Sequence, residues 1–224
     1  MIKETLKTQT SKEISPSKIL SESDIVIFDM DGTLYLLDGD NNSYNNSTLH
    51  NSVIQNAVKL IVEKENIPQE KALEEANNLL QNRQYLSLVL GERYDMSREE
   101  YFNYTWNINP DGIIKGHEHS SEIIKKIHQS GKTLILLTSA PKIWQEKVFS
   151  YLDVQECFTD IYSGETFLVK EEIFTKIFSE NTDKKILSVG DQQETDITPA
   201  IALGMAGFHV NNPNDLLELI NDYE

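Results

Sequence analysis

Cysteine, arginine and long apolar runs are all scarce in this chain, and each shortage narrows what it can be. The single cysteine, Cys157, has no partner for an internal disulfide, which suits a reducing compartment. Its expected role is that of a small buried hydrophobe. No apolar run approaches the length needed to cross a bilayer. Positive charge is also short: 20 Lys and Arg face 36 Asp and Glu, for a net charge of -16. Extended nucleic-acid binding needs a basic surface that displaces counterions, so a nucleic-acid polymer is excluded as a partner. The arginines are only Arg83, Arg93 and Arg98, all in one short stretch. Met1 to Glu22 are polar and mixed in charge, without the apolar core of a secretory signal. Residues 1–22 are therefore expected to be a flexible leader, and the protein is expected in the cytoplasm.

What is present is an ordinary globular composition, 39% hydrophobic and 25% charged over 224 residues. Strand-like apolar runs occur at 25–28, 133–138, 186–190 and 207–210, with a weaker one at 160–163. Between them, Ile123, Ile124 and Ile127 share one helical face, as do Trp144, Val148, Tyr151 and Leu152. Ile173, Phe174, Ile177 and Phe178 form a third such face. Strands alternating with helices predict an α/β core, a parallel Rossmann-like sheet wrapped by helices. The rhythm breaks from about 36 to 114, where an Asn-rich loop is followed by helical patterns alone. The predicted division is a core of 23–35 and 115–224 and an all-helical cap of 36–114. An insertion directly behind the first strand would sit over the carboxyl edge of the sheet, where lids exclude water.

That edge is where chemistry is expected. The run Ile25 to Phe28 ends in Asp29-Met30-Asp31-Gly32, two carboxylates one residue apart. Such a pair repels unless a cation lies between its members or one holds a proton. Thr138 and Ser139 follow the second strand, Asp191 follows the fourth with Asp196 beyond it, and Lys170 opens a helix. Several carboxylates in one place call for a hard cation such as Mg²⁺. One carboxylate can attack an electrophile, and a protonated one can serve the leaving oxygen. A hydroxyl and a lysine can hold a phosphoryl group in flight. The sum is phosphoryl transfer through an aspartyl-phosphate.

Asp29-Met30-Asp31-Gly32-Thr33-Leu34, Leu137-Thr138, Lys170 and Gly190-Asp191 with Asp196 resemble, in order and spacing, the four motifs of the haloacid dehalogenase (HAD) superfamily. The insertion resembles the helical cap of its first cap class (C1). Tyr94 to Pro141 is similar to pyrimidine 5′-nucleotidase-like members, although Ser139 stands where asparagine is common and Glu171 where proline usually follows the lysine. The resemblance implies Asp29 as nucleophile and Asp31 as general acid/base. It implies Mg²⁺ held by Asp29, the backbone carbonyl of Asp31, and Asp191. Thr138, Ser139 and Lys170 would bind the phosphoryl group, with Asp196 orienting Lys170 or a metal-bound water. Dehalogenase members lack the second aspartate, so the resemblance leans to a phosphatase of a small phosphorylated metabolite, favouring a nucleoside 5′-monophosphate. The alternatives are a sugar-phosphate or phosphoglycolate phosphatase, a phosphomutase, or a non-catalytic binding protein on the same fold.

Arg83, Arg93 and Arg98 lie where a substrate's far end would be read, and are candidate substrate contacts. Tyr101, Phe102, Tyr104 and Trp106 are equally suited to stacking on a base or to filling the cap's core. His209, in an apolar strand, reads as a core histidine, and the Asn-rich loop 40–47 as a flexible gate.

Overall fold

The computed structural model describes residues 15–82 and 85–221. Five parallel strands form one sheet: β1 (Ile25–Phe28), β2 (Thr133–Leu137), β3 (Asp160–Tyr162), β4 (Ile186–Gly190) and β5 (Ala206–His209). Their spatial order is β3-β2-β1-β4-β5, so β1 lies at the centre, flanked by β2 and β4. Every residue of β1 and β4 is buried, which explains the unbroken apolar run of β1 and a β4 run interrupted only by Ser188. β3 lies at the edge, and its exposed residues account for its weak apolar signal.

Alternation along the strands divides the core between two faces. Ile25, Ile27, Ile135 and Leu137 meet Phe174 and Ile177 of α8 (Lys170–Glu180) and Ala200 of α9 (Thr198–Ala202). Val26, Phe28, Leu134 and Leu136 join Ile123, Ile124 and Ile127 of α6 (Ser120–Gln129) and Trp144 and Val148 of α7 (Lys142–Leu152). Each such aliphatic side chain, fully buried, contributes about 2 kcal/mol. Gly131, just past α6, takes φ +83, the left-handed turn that ends a helix.

The helical stretch consists of α2 (Thr48–Glu65), α3 (Gln69–Gln81), α4 (Leu86–Tyr94) and α5 (Arg98–Thr105). Its buried side chains, among them Leu49, Val53, Ile61, Leu90 and Tyr101, are continuous with the face carrying Val26 and Phe28. The chain enters and leaves this stretch side by side: Leu36 pairs with Lys115 in an antiparallel bridge, its N–H donating to the Lys115 carbonyl at 2.7 Å.

Two expectations need correction. Within the expected leader 1–22, residues Pro16–Glu22 form a helix, α1. Ser15 caps it by accepting from the Lys18 N–H, Pro16 fits the first turn, and Leu20 is wholly buried. Burying Leu20 gives these polar residues a reason to order; residues 1–14 lie outside the described set. The Asn-rich loop, expected to swing freely, is tied down by Asn42. Its amide donates to the Gly32 carbonyl at 2.6 Å while its oxygen accepts from the Leu37 N–H at 2.8 Å.

Candidate functional site

The carboxyl ends of β1 and β4 bring four charged side chains together. Asp29 continues β1 by donating its N–H to the Val189 carbonyl at 2.9 Å, and its side chain is buried. The chain then turns at Gly32, whose φ of +86 admits few side chains. A Cβ there would lie 2.6 Å from Asp191 Oδ2, so glycine is also what lets Asp191 approach β1. Gly190 does the same for Asp196, since a Cβ would lie 2.5 Å from its carboxylate.

Lys170, the first residue of α8, carries the one ammonium in this cluster. Its Nζ lies 2.6 Å from Asp29 Oδ1 and 2.7 Å from Asp196 Oδ1, with all three side chains buried. Burial by itself would lower the lysine pKa, but the charges of Asp29 and Asp196 outweigh it and raise the value, so the ammonium persists. Asp196 sits in a π-helical turn, Gln193–Ile197, a distortion common at functional sites. Its second oxygen accepts from the Gln192 N–H at 3.0 Å, which leaves it little coordinating capacity.

Asp29, Asp191 and Asp196 present carboxylate oxygens within 4.8 Å of one another. Burial, then the charges of Asp29 and Asp196, push the Asp191 carboxyl well above its usual range. Lys170 alone under-compensates this cluster, and an all-carboxylate donor set suits a hard divalent cation. The Thr33 hydroxyl joins the two strand ends: it lies 3.2 Å from Asp29 Oδ2 and accepts the Asp191 N–H at 3.0 Å.

Asp31 points elsewhere. Its Oδ1 accepts from the Tyr35 hydroxyl and from Trp144 Nε1 at 3.0 Å. Burial raises its pKa to about 7, helped by Asp29 and opposed by the Tyr35 and Trp144 donors. A carboxyl with that value holds a proton for a useful fraction of the time near neutrality.

Asp29, Asp31, Thr138, Ser139 and Lys170 line one cavity of about 280 Å³, together with Gln192, Tyr44 and Trp106. The structure thus brings these five predicted residues together, with Asp191 and Asp196 behind them. Thr138 is fixed by donating its N–H to the Tyr162 carbonyl at 3.0 Å, and its hydroxyl accepts from the Ala140 N–H. A larger cavity of about 550 Å³ shares Tyr44, Trp106, Ser139 and Lys170 with it and runs under the helices, past Tyr101, Phe102 and Arg98. The rings of Tyr44 and Trp106 are nearly parallel, 5.9 Å apart.

The arginines separate. Arg98 lines the larger cavity and donates to the Glu165 and Phe167 carbonyls at 3.4 and 3.3 Å, bridging α5 to the sheet's loops. Arg93 does not join the site: it is held at the surface by Glu65 and Glu75, because α4 turns that face toward α2 and α3. Arg83 lies outside the described residues. His209, expected in the core, is only half-buried, and its Nε2 lies 2.8 Å from the Asp191 carbonyl.

Four site residues were given no role of their own from the sequence: Thr33, Tyr35, Tyr44 and Trp144. Thr33 and Tyr35 sit inside or beside the Asp-x-Asp motif, which is the clue that was available. Trp144 reads only as one residue of an apolar helical face, and Tyr44 as part of a polar loop.

The family model described as haloacid dehalogenase-like hydrolase matches residues 26–210. Among solved structures, the chain is similar to a HAD phosphatase from Thermococcus onnurineus, with 17% identity, a TM-score of 0.61, and coverage of 89% of this chain and 97% of that one. It is also similar to the magnesium-bound HAD-hydrolase YfnB from Bacillus subtilis, at 18% identity and TM-score 0.53, covering 89% and 99% of the two chains. A protein from Haemophilus somnus 129pt described as a predicted phosphoglycolate phosphatase matches at 15% identity and TM-score 0.50, covering 84% and 85%. At such identities these likenesses speak for the fold. No curated protein matches the sequence.

Proposed function

The chain belongs to the haloacid dehalogenase-like hydrolases, and from that premise we propose that it hydrolyses a small phosphomonoester through an aspartyl-phosphate on Asp29. The observation that carries this reading is the pairing of two unlike carboxylates in one cavity. Asp29 is ion-paired with Lys170, while Asp31 has a pKa raised to about 7. One is equipped to attack and the other to carry a proton.

In the proposed reaction an Asp29 oxygen bonds to phosphorus as the bond to the leaving oxygen breaks. Asp31 gives its proton to that oxygen. Lys170, with Thr138 and Ser139, holds the phosphoryl oxygens and offsets their charge. Asp31, now a carboxylate, takes a proton from water as the water attacks phosphorus. Phosphate leaves, and Asp29 returns as a carboxylate. The donor set at the strand ends fits Mg²⁺, with Asp29 and Asp191 as side-chain ligands and the Asp31 carbonyl as the resemblance implies. Bound there, the ion would supply the positive charge that one lysine cannot. Asp196, already engaged by Lys170 and the Gln192 N–H, orients the lysine.

The helices within 36–114 serve in this reading as a cap of the C1 type over a core formed by 23–35 and 115–224. The flat walls of the larger cavity favour a nucleoside 5′-monophosphate, in line with the pyrimidine 5′-nucleotidase-like resemblance. A two-carbon acid such as that of phosphoglycolate would leave most of its 550 Å³ unfilled. Cytoplasmic residence belongs to the same reading and rests on the lone cysteine. Among the described residues no helix is long and apolar enough to cross a membrane.

The test is hydrolysis of an aryl phosphate with Mg²⁺ and with a chelator, using Asp29→Asn as control. Metal-dependent turnover lost in the variant supports the reading; turnover without metal, or equal turnover in the variant, overturns it. A panel of nucleoside monophosphates, sugar phosphates and phosphoglycolate then ranks the substrates.

A further inference from the structure

We infer that Tyr35 and Trp144 are positioning residues that decide which oxygen of Asp31 delivers the proton, an inference that rests on Asp31 being the acid of the proposed reaction. Both side chains are wholly buried, where a purely apolar side chain would need no polar partner. Their polar atoms instead converge on one carboxylate oxygen. The Tyr35 hydroxyl donates to Asp31 Oδ1, and Trp144 Nε1 lies 3.0 Å from both that oxygen and the Tyr35 hydroxyl. An indole N–H can only donate.

A proton placed on Oδ1 would meet the indole N–H head-on and would force the Tyr35 hydroxyl to turn from donor to acceptor. With Oδ1 accepting from both, Oδ2 is the oxygen left to carry the proton. Asp31 itself lines the cavity with Asp29 and Thr138, so Oδ2 is the oxygen left to serve the leaving group. Two donors on one oxygen also fix the carboxyl rotamer, which would otherwise spread the proton over several directions. The two donors come from distant parts of the chain: Tyr35 follows the β1 turn, while Trp144 lies in the first turn of α7, just beyond Thr138 and Ser139. The segment that carries the proposed phosphoryl-binding hydroxyls thereby also aims the acid.

An acid matters only when the leaving oxygen is basic, which gives a readout that a merely structural role would not move. The experiment measures kcat/KM, which reports phosphorylation of Asp29, for 2,4-dinitrophenyl phosphate and for the best alkyl phosphate of the panel. Tyr35→Phe and Trp144→Phe are each made in the wild-type and in the Asp31→Asn background, with melting curves to confirm folding. The expected result is that the aryl-to-alkyl ratio rises about tenfold or more in Tyr35→Phe, in keeping with the size of acid catalysis. In the Asp31→Asn background the same substitutions should leave the ratio unmoved. Proportional loss on both esters, an unchanged ratio, or an effect that persists without Asp31 overturns the inference while leaving the phosphatase reading intact. Should Asp31→Asn itself leave the wild-type ratio unchanged, or the wild type hydrolyse neither ester with Mg²⁺, the reading of the site falls and the inference with it. Tyr35→Phe, which keeps the ring, decides the matter if Trp144→Phe does not fold.

Discussion

The strand ends and the helices above them handle charge in opposite ways. At the ends of β1 and β4, Lys170 is buried in contact with Asp29 and Asp196, and glycines admit the neighbouring carboxylates, Gly32 that of Asp191 and Gly190 that of Asp196. In the helical stretch, Arg93 and its glutamates stay at the surface, and the larger cavity is lined by aromatic rings and aliphatic side chains together with Arg98. Buried charge is tolerated in the first region because backbone geometry fixes every partner, so reorganisation during a reaction is small. In the second, rings and aliphatic side chains offer shape and stacking, and Arg98 is the charge that reaches the cavity. Rate should therefore be sensitive to the first region, and choice of substrate to the second.

The largest expected effect is at Asp29. Asp29→Asn retains the shape but removes the attacking charge, and turnover should fall about ten-thousandfold or more. Loss of that size on every phosphate tested fits a covalent role; a loss that varied with the leaving group's shape would blur the contrast between the two regions. Lys170→Met comes next. It should lower turnover about a hundredfold or more by removing charge from the phosphoryl site. It also leaves buried Asp29 and Asp196 unpaired, a change that typically costs about 3–5 kcal/mol and would show as a lower melting temperature. Mg²⁺ should restore part of that stability, since it offers a substitute countercharge.

Asp29 was also among the positions most legible in the sequence, whereas Lys170 was a lone lysine at a helix start with Glu171 where proline usually follows. A wholly apolar strand followed by Asp-x-Asp-Gly admits few structures, and the parallel topology forces Asp29, Thr138 and Asp191 to one edge whatever the intervening loops do. Trp144 was illegible for the opposite reason. It lies 113 residues from Asp31, and its spacing satisfies a core helix face equally well. Arg93 and Arg98 show the same limit at short range. They are five residues apart, yet one belongs to α4 and faces Glu65 and Glu75 while the other opens α5 and reaches the Phe167 carbonyl. Which way a helix is rolled depends on packing against elements far away, and local pattern does not carry that information. The ordering of Pro16–Glu22 likewise turned on one residue, Leu20, inside an otherwise polar segment.

A smaller effect tests the recognition region directly. Phe102→Leu preserves an apolar side chain but removes a flat ring from the larger cavity. Loss of one stacking contact is worth about 1 kcal/mol, or roughly fivefold in kcat/KM for a base-bearing phosphate. A phosphate too small to reach Phe102 should be hydrolysed as by the wild type. Equal losses on both would mean that the helices act on the chemistry itself, and the division of labour would fail.

The smallest effect is expected at Arg93, and it bears on whether clustering of arginines in a cap means anything for substrate. Its guanidinium pairs with Glu65 at 3.1 Å and also with Glu75, with side chains about one-third exposed. The Tyr94 hydroxyl donates to the same Glu65 oxygen at 2.6 Å. Such a network ties α2, α3 and α4 together at their solvent face and touches neither cavity. Exposed pairs of this kind contribute about 1 kcal/mol or less, and the Tyr94 bond to Glu65 survives the loss of the arginine. Arg93→Ala should thus lower the melting temperature by only a few degrees, less at high salt than at low, with kcat/KM unchanged across the phosphate panel. A selective loss on anionic substrates would return Arg93 to the candidate contacts and show that the helices move far enough in solution to bring it to the site.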